Sequence, residues 1–426
     1  MATSTSRWDT DYEWKAVSLL ALGFGLVGLD RWIIAPLFPF MAKDLGLNYQ
    51  AIGNLVGILG MVWGVFAVIS GRVSDWVGHR KILVPAVLLF SFMSGMSGLA
   101  NSLAALIMIR GLMGLLEGSY CPTSFAATAA AAHPSRRGLL QGLQQSGFAL
   151  FGFGLGPIIA TQLLAVVPSW RWVFWVVAIP GFLVGCGLWF VLREPPEHHA
   201  PAASGHHVLH DVVSTGGYGR VFASRNIVLC MLALACAMSC IFVLGGMLPN
   251  YLIDYLHLTP QQMGFVASAL GFGGFVGQFA VPGISDLLGR RVTAVLTFAA
   301  AALGVWGLMH VGASPTTLFM MVFVVSLFSL GAVALITGPI ATESAPAGLV
   351  SSAIGIVVGS GEIFGGGVAP AIGGAIAQRY GIENIFWMPL VGVAVGVLVS
   401  IGLSETAPRK VARRMMPVEA PVVPSR

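Results

Sequence analysis

Twelve times along its 426 residues the chain runs through 18 or more predominantly apolar residues, the length at which a helix can cross the hydrocarbon core of a bilayer. A backbone in that medium has no water to bond, so each run must pair its N–H and C=O groups internally, as a helix. The runs predict helices near 15–41, 49–71, 82–101, 103–132, 138–163, 171–192, 226–253, 261–284, 292–311, 315–340, 349–377 and 382–403. The expected fold class is an all-α membrane protein of twelve transmembrane helices. Composition agrees, because only 9% of the residues are charged and 56% are apolar, against about 25% charged in soluble domains. Soluble enzymes are excluded, and the spans leave no room for a separate catalytic domain.

An even number of crossings returns the C-terminus to the side of the N-terminus, and the positive charges test that count independently. Seventeen of the 22 Lys and Arg fall in connections on the side of the N-terminus, from Arg7 and Lys15 to Arg426, and three (Lys43, Arg171, Arg379) fall on the other. By the positive-inside rule both termini are cytoplasmic, in a multi-pass protein of the cell (inner) membrane. The net charge of +5 is thereby explained by orientation on a bilayer, and no basic stripe remains for nucleic acid. Met1–Trp14 has neither a basic segment nor a cleavage site of the secretory kind.

The longest connection, 193–224, is rich in Pro, Gly, Ser and His and reads as a cytoplasmic linker. It divides the chain into a first bundle of six helices (1–192) and a second (225–406), followed by a short tail (407–426). Five histidines (198, 199, 206, 207, 210) lie in the linker without a thiolate or carboxylate cluster to fix a geometry, so no metal is expected. The five cysteines all sit in apolar runs and read as packing residues rather than disulfides or ligands.

The two halves repeat. Gly71-Arg72-Val73-Ser74-Asp75 with Gly78-His79-Arg80-Lys81 follows helix 2, and Gly283-Ile284-Ser285-Asp286 with Gly289-Arg290-Arg291 follows helix 8, the Ser-Asp pairs lying 211 residues apart. Gly156-Pro157 in helix 5 and Ala369-Pro370 in helix 11 are offset by 213 residues. An internal repeat of this kind is the mark of a transporter whose site lies between two bundles.

On these residues the chain resembles the major facilitator superfamily, whose G-x-x-x-D-x-x-G-R-[KR] loop between helices 2 and 3 is matched by Gly71, Asp75, Gly78, Arg80 and Lys81. The resemblance covers all twelve helices and implies two pseudo-symmetric six-helix bundles, with this loop and its counterpart at Asp286 and Arg290 acting as a gating latch. Within the superfamily it is most similar to the anion:cation symporter branch of hexuronate and galactonate permeases, sialin and vesicular glutamate transporters. Asp30-Arg31 in helix 1, Arg110 to Gly118 in helix 4 and Trp170-Arg171-Trp172-Val173-Phe174 at helix 6 carry that likeness. Helix 1 departs from it with Pro36 and Pro39, and helix 11 has Glu362 where relatives often have an amide. The resemblance implies protons carried by the acids of helices 1 and 4, and substrate near the helix 1 arginine.

A charge at the bilayer centre costs at least about 2.5–3.5 kcal/mol on insertion scales, so intramembrane ionisable residues are functional candidates. Five occur: Asp30, Arg31, Arg110, Glu117 and Glu362. Arg110 and Glu117 are two turns apart on one helix face, whereas the adjacent Asp30 and Arg31 point about 100° apart. The expected device is an anion that engages Arg31 or Arg110, weakens its pairing with Asp30 or Glu117, and lets the freed carboxylate take up a proton. Proton coupling is thus assigned to Asp30, Glu117 and Glu362. Substrate binding is assigned to Arg31 and Arg110, helped by Gln145 and Ser146 in helix 5 and by Asn250 and Tyr251 beyond Pro249 in helix 7. Trp32, Trp63 and Phe148 are candidates to cap an apolar part of the site. The reading is a proton-coupled symporter importing a small organic anion, a sugar acid or other carboxylate, acting as a monomer without cofactor and without enzymatic chemistry. The alternative is a proton antiporter that exports drugs or amphipaths, suggested by Gly152 to Pro157.

Overall fold

The computed structural model describes residues 9–133, 137–193, 217–346, 349–407 and 410. Twelve of its helices are long and apolar enough to span a bilayer. They are α1 (Thr10–Leu45), α2 (Tyr49–Val77), α3 (His79–Ser97), α4 (Leu103–Ala131), α5 (Leu140–Leu164), α6 (Trp170–Val191), α7 (Arg225–Tyr255), α8 (Pro260–Leu288), α9 (Arg290–Leu308), α10 (Pro315–Ser344), α11 (Ala353–Tyr380) and α12 (Ile382–Ile401). Their outer faces expose large apolar side chains such as Met108, Leu183, Phe190, Leu303 and Leu398, the surface a hydrocarbon solvent requires. Most of the predicted linker (194–216) and tail (408–409 and 411–426) lies outside the described residues, as do the side chains of Gly71, Arg72, Asp75 and Trp76.

The helices pass alternately between two ends, here called the near end, which holds Thr10, and the far end, which holds Leu45 and Tyr49. The near-end corners after α2 and α8 use the same backbone, φ +98° at Gly78 and +100° at Gly289, a region open to glycine and strained for other residues. Because α3 and α9 begin on the very next residue, they start a little earlier than their apolar runs suggest.

Four spans carry wide π-helical turns: Ala149–Leu155 in α5, Tyr251–Tyr255 in α7, Ile336–Ile340 in α10 and Gly361–Val368 in α11. Each lies beside or around a proline, which removes an N–H donor and crowds the carbonyl four residues earlier. The chain widens instead of breaking. Gly156 N–H reaches back five residues to the Phe151 carbonyl, and Ala369 N–H to that of Phe364, at equivalent places in the two halves. In α1 the same pressure from Pro36 produces a break at Ile33 between Thr10–Trp32 and Ile34–Leu45.

The halves meet closely at the far end. Cβ atoms built on Gly57 and Gly60 of α2 would lie 2.6 Å and 2.5 Å from the Gly367 and Gly366 carbonyl oxygens of α11, and Gly53 sits against the Pro370 carbonyl and Gly374. This ladder of small residues lets the two backbones touch. The Gly366 carbonyl is available for the contact because Pro370, four residues on, offers it no N–H. Tyr49 adds polar ties, its hydroxyl donating to Asp254 at 3.1 Å and its N–H to Gln378 at 3.1 Å. Towards the near end the packing is looser: Gly283 in α8 and Gly355 in α11 have open space where a Cβ would point.

Candidate functional site

All five intramembrane charges are buried, Glu117 and Arg110 at 0% and 2% exposure and Arg31 and Glu362 at 3% and 5%. They gather where α1, α4 and α11 converge. The break in α1 sets the geometry, because Asp30 and Arg31 occupy the last turn of its first segment. Arg110 of α4 reaches that turn and donates to the backbone carbonyls of Asp30 at 3.3 Å and Arg31 at 3.0 Å. A cation at a helix C-terminus with donors aimed at its last carbonyls is a favourable cap.

The side chains on that turn then diverge. Asp30 accepts a hydrogen bond from Ser94 of α3 at 2.8 Å. Arg31 crosses to the other half and forms a two-pronged ion pair with Glu362, 2.8 Å from Nη2 to Oε2 and 3.5 Å from Nη1 to Oε1. Its guanidinium is ringed by Phe242 at 4.7 Å, Trp63 at 5.6 Å, Trp32 at 5.8 Å and Phe148 at 6.0 Å, close enough for cation–π attraction. Glu117 lies within electrostatic reach of both arginines, Asp30 and Glu362, yet neither of its oxygens has a hydrogen-bond partner.

These partners differ from those the sequence suggested. Arg31 pairs with Glu362 rather than with Asp30 or Glu117, and Arg110 holds main-chain oxygens rather than a carboxylate. Spacing along one helix orders residues on its faces, whereas the choice among three carboxylates is made by how α11 crosses α1. Of the weaker candidates, Asn250 is buried with both amide atoms unpartnered. Tyr251 packs apart from the cluster, stacked on Tyr255 and edge-on to Phe386. Ser146 spends its hydroxyl on the Leu143 carbonyl, and Gln145 is half-buried. The neighbouring Gln144 is the buried one, tied to Ser124 and Thr128 of α4 at 2.8 Å and 2.6 Å.

At the near end the second of the repeated loops is held by charge. Arg290 pairs with Asp286 at 2.7 Å and with Glu343 of α10 at 2.9 Å, while its N–H donates to Glu405 beyond α12 at 2.8 Å. All of these partners belong to the second half, so this charge cluster ties helices within one bundle. Arg80 lies 5.0 Å from the Trp189 ring of α6, again within its own half, and Lys81 is exposed. Among the described residues the ion pair that joins the halves is Arg31–Glu362. Sequence reasoning missed the Phe242 ring, the Ser94 donor and the far-end seal. The seal had a signal in the Gly53, Gly57, Gly60 and Gly64 spacing, whereas nothing local marks Phe242.

Two repeated six-helix bundles with a charged cluster buried where they meet define a membrane carrier for small solutes. The sequence profile of the Major Facilitator Superfamily matches residues 20–360 and 230–424. The chain belongs to that superfamily. It is 27% identical over 397 residues, 90% of this chain and 89% of that protein, to a probable 4-methylmuconolactone transporter of Cupriavidus pinatubonensis. It is also 27% identical to a hexuronate transporter of Bacillus subtilis, covering 68% of this chain and 71% of that one. A sialic acid transporter of Escherichia coli is 23% identical over 94% of this chain and 96% of its own. Among solved structures, a bacterial homologue of the human lysosomal transporter Spinster, inward-facing and unoccupied, superposes with a TM-score of 0.72 at 16% identity, covering 94% of this chain and 95% of that one.

Proposed function

We propose that the protein imports a small organic anion together with protons, by alternating access of its two bundles. The observation that carries the reading is the buried Arg31–Glu362 pair, which links the halves at mid-membrane through a cation built to hold a carboxylate. The relatives named for 4-methylmuconolactone, hexuronate and sialic acid support an organic acid as cargo.

Glu362 acts as a resident anion. An entering carboxylate takes its place on Arg31, and Glu362, left in a low-dielectric site without its cation, is neutralised by a proton. Glu117, which has no hydrogen-bond donor in this arrangement, carries charge only at high cost and so serves as a second proton carrier. Asp30, held by Ser94, is the third titratable group and answers to Arg110 across the α1 break. Arg110 keeps the turn bearing Arg31 in place, with Asn250 beyond the cluster as a neutral hydrogen-bond partner. With the near end cytoplasmic, the far-end seal makes this an inward-facing state. Residues 1–192 and 225–406 rock as the two bodies, joined by the 193–224 linker, in a monomer of the inner membrane. The Gly71–Lys81 loop and the Asp286–Arg290 loop stiffen the near ends of their bundles during that motion.

The test is uptake of radiolabelled organic anions into proteoliposomes under an inward proton gradient. Glu117→Gln and Glu362→Gln are expected to abolish gradient-driven accumulation while retaining anion exchange, and Arg31→Ala to abolish both. If no anion accumulates and cationic or amphipathic compounds instead move against the proton flow, the chain is an exporting antiporter.

A further inference from the structure

The surroundings of Arg31 say more about the cargo than its charge does. The four rings within 6.0 Å of the guanidinium come from four helices of both halves: Trp32 of α1, Trp63 of α2, Phe148 of α5 and Phe242 of α7. Three of them, Trp32, Phe148 and Phe242, join through Phe153 into one aromatic surface, Trp32 lying 4.2 Å from Phe153 and 5.1 Å from Phe242 between ring centroids. A carboxylate held on Arg31 therefore has aromatic faces and edges around whatever it is attached to.

The side-chain hydroxyls on the surrounding helices are already committed. Ser94 donates to Asp30, Ser124 and Thr128 engage Gln144, and Ser146 and Ser239 donate to carbonyls of their own helices. A sugar acid brings several hydroxyls, each needing a partner once water is removed, and a buried hydroxyl left unpaired weakens binding. Around the cluster, Arg31 Nε, Arg110 Nε, Trp63 Nε1, Trp32 Nε1, the Glu117 carboxylate and the Asn250 side-chain amide are buried without partners. The nitrogens suit one carboxylate and a further acceptor, and Asn250 and Glu117 suit a single ring substituent rather than a ring of hydroxyls.

We infer that the cargo is a planar carboxylate of single-ring size, aromatic or conjugated, rather than a polyhydroxylated sugar acid. Its carboxylate replaces that of Glu362 on Arg31, and its flat body lies among Trp63, Phe148 and Phe242, where π faces and edges meet. The inference rests on the organic-anion reading above and narrows it.

The test uses the purified full chain with 4-hydroxybenzoate and glucuronate as probes. Binding is read from the ligand-induced rise in thermal unfolding midpoint in detergent, and transport from proton-driven uptake into proteoliposomes, with protein-free liposomes subtracted for passive entry. 4-Hydroxybenzoate is expected to bind and accumulate at least tenfold better than glucuronate. Phe242→Leu is expected to weaken its half-saturation at least fivefold, and Trp63→Phe, a smaller change to packing, to weaken it about threefold by removing the indole donor. Glucuronate bound as well as or better than 4-hydroxybenzoate overturns the planar class and leaves the organic-anion reading intact. Binding of neither probe also overturns the class, and a wider anion panel then decides the broader reading separately. Wild-type affinity in both folded variants removes the aromatic surface from the explanation.

Discussion

Arg110 shows how a single side chain carries structure that its sequence position does not disclose. The residue type and its depth announce a functional charge, and the sequence leaves its carboxylate partner open between Asp30 and Glu117. The structure gives it carbonyl oxygens of α1 instead, because the break at Ile33 leaves a helix end needing donors. Hydrogen bonds to charged groups are worth about 1.5–3 kcal/mol each, so Arg110→Ala is expected to destabilise the protein by roughly 3 kcal/mol and to misplace Arg31. Thermal unfolding in detergent reads the first effect, and anion binding reads the second. Arg110→Lys, with one point charge in place of a planar fork, is expected to fall between the two. An Arg110→Ala protein as stable as wild type would remove the capping role.

At the scale of the helices, the twelve spans were legible because the bilayer allows few alternatives to a long apolar helix. The π-helical turns were not, although the prolines that provoke them were plain to see. Proline breaks the helix in α1 and widens it in α5 and α11, where glycines lie within the wide turns. The same glycines determine the far-end seal. Gly60→Val would place its side chain 2.5 Å from the Gly366 carbonyl, closer than carbon and oxygen pack, and is expected to hold the halves apart there. A cysteine at Gln50, labelled with a membrane-impermeant thiol reagent, should then react several-fold faster, and uptake should fall at least tenfold. Tyr49→Phe is a gentler lesion of the same seal. Losing the bond to Asp254 costs about 1 kcal/mol, enough to raise the far-open population roughly fivefold in the same labelling assay. Unchanged labelling in both would mean that the seal does not limit opening.

For the whole molecule, the repeat read from the Ser-Asp loops reappears as matched backbone: glycines of nearly identical φ at 78 and 289, and wide turns ahead of Pro157 and Pro370. The five buried charges were also readable in advance. What could not be read was which of them would face across the interface, since that depends on how one bundle sits on the other and no local pattern encodes it. The charge cluster around Arg290 makes the point from the other side, because its partners Glu343 and Glu405 are distant in sequence and all lie in one half. Arg290→Ala leaves the partly buried Glu343 carboxylate without its cation, held by the Thr406 hydroxyl alone, and is expected to cost about 2 kcal/mol, read as an earlier unfolding transition with substrate half-saturation unchanged. A changed half-saturation would give the cluster a part in the transport cycle.

On the proposed mechanism, the pairing of Arg31 with Glu362 makes the carrier its own competitive inhibitor. A tethered carboxylate is present at a high effective concentration, so any substrate is measured against it, and apparent affinity understates the intrinsic grip of Arg31 by the fraction of time the tether occupies it. Tight binding and productive carriage thereby part company. Replacing the tether with an amide should give a protein that holds its anion more firmly and delivers it more slowly.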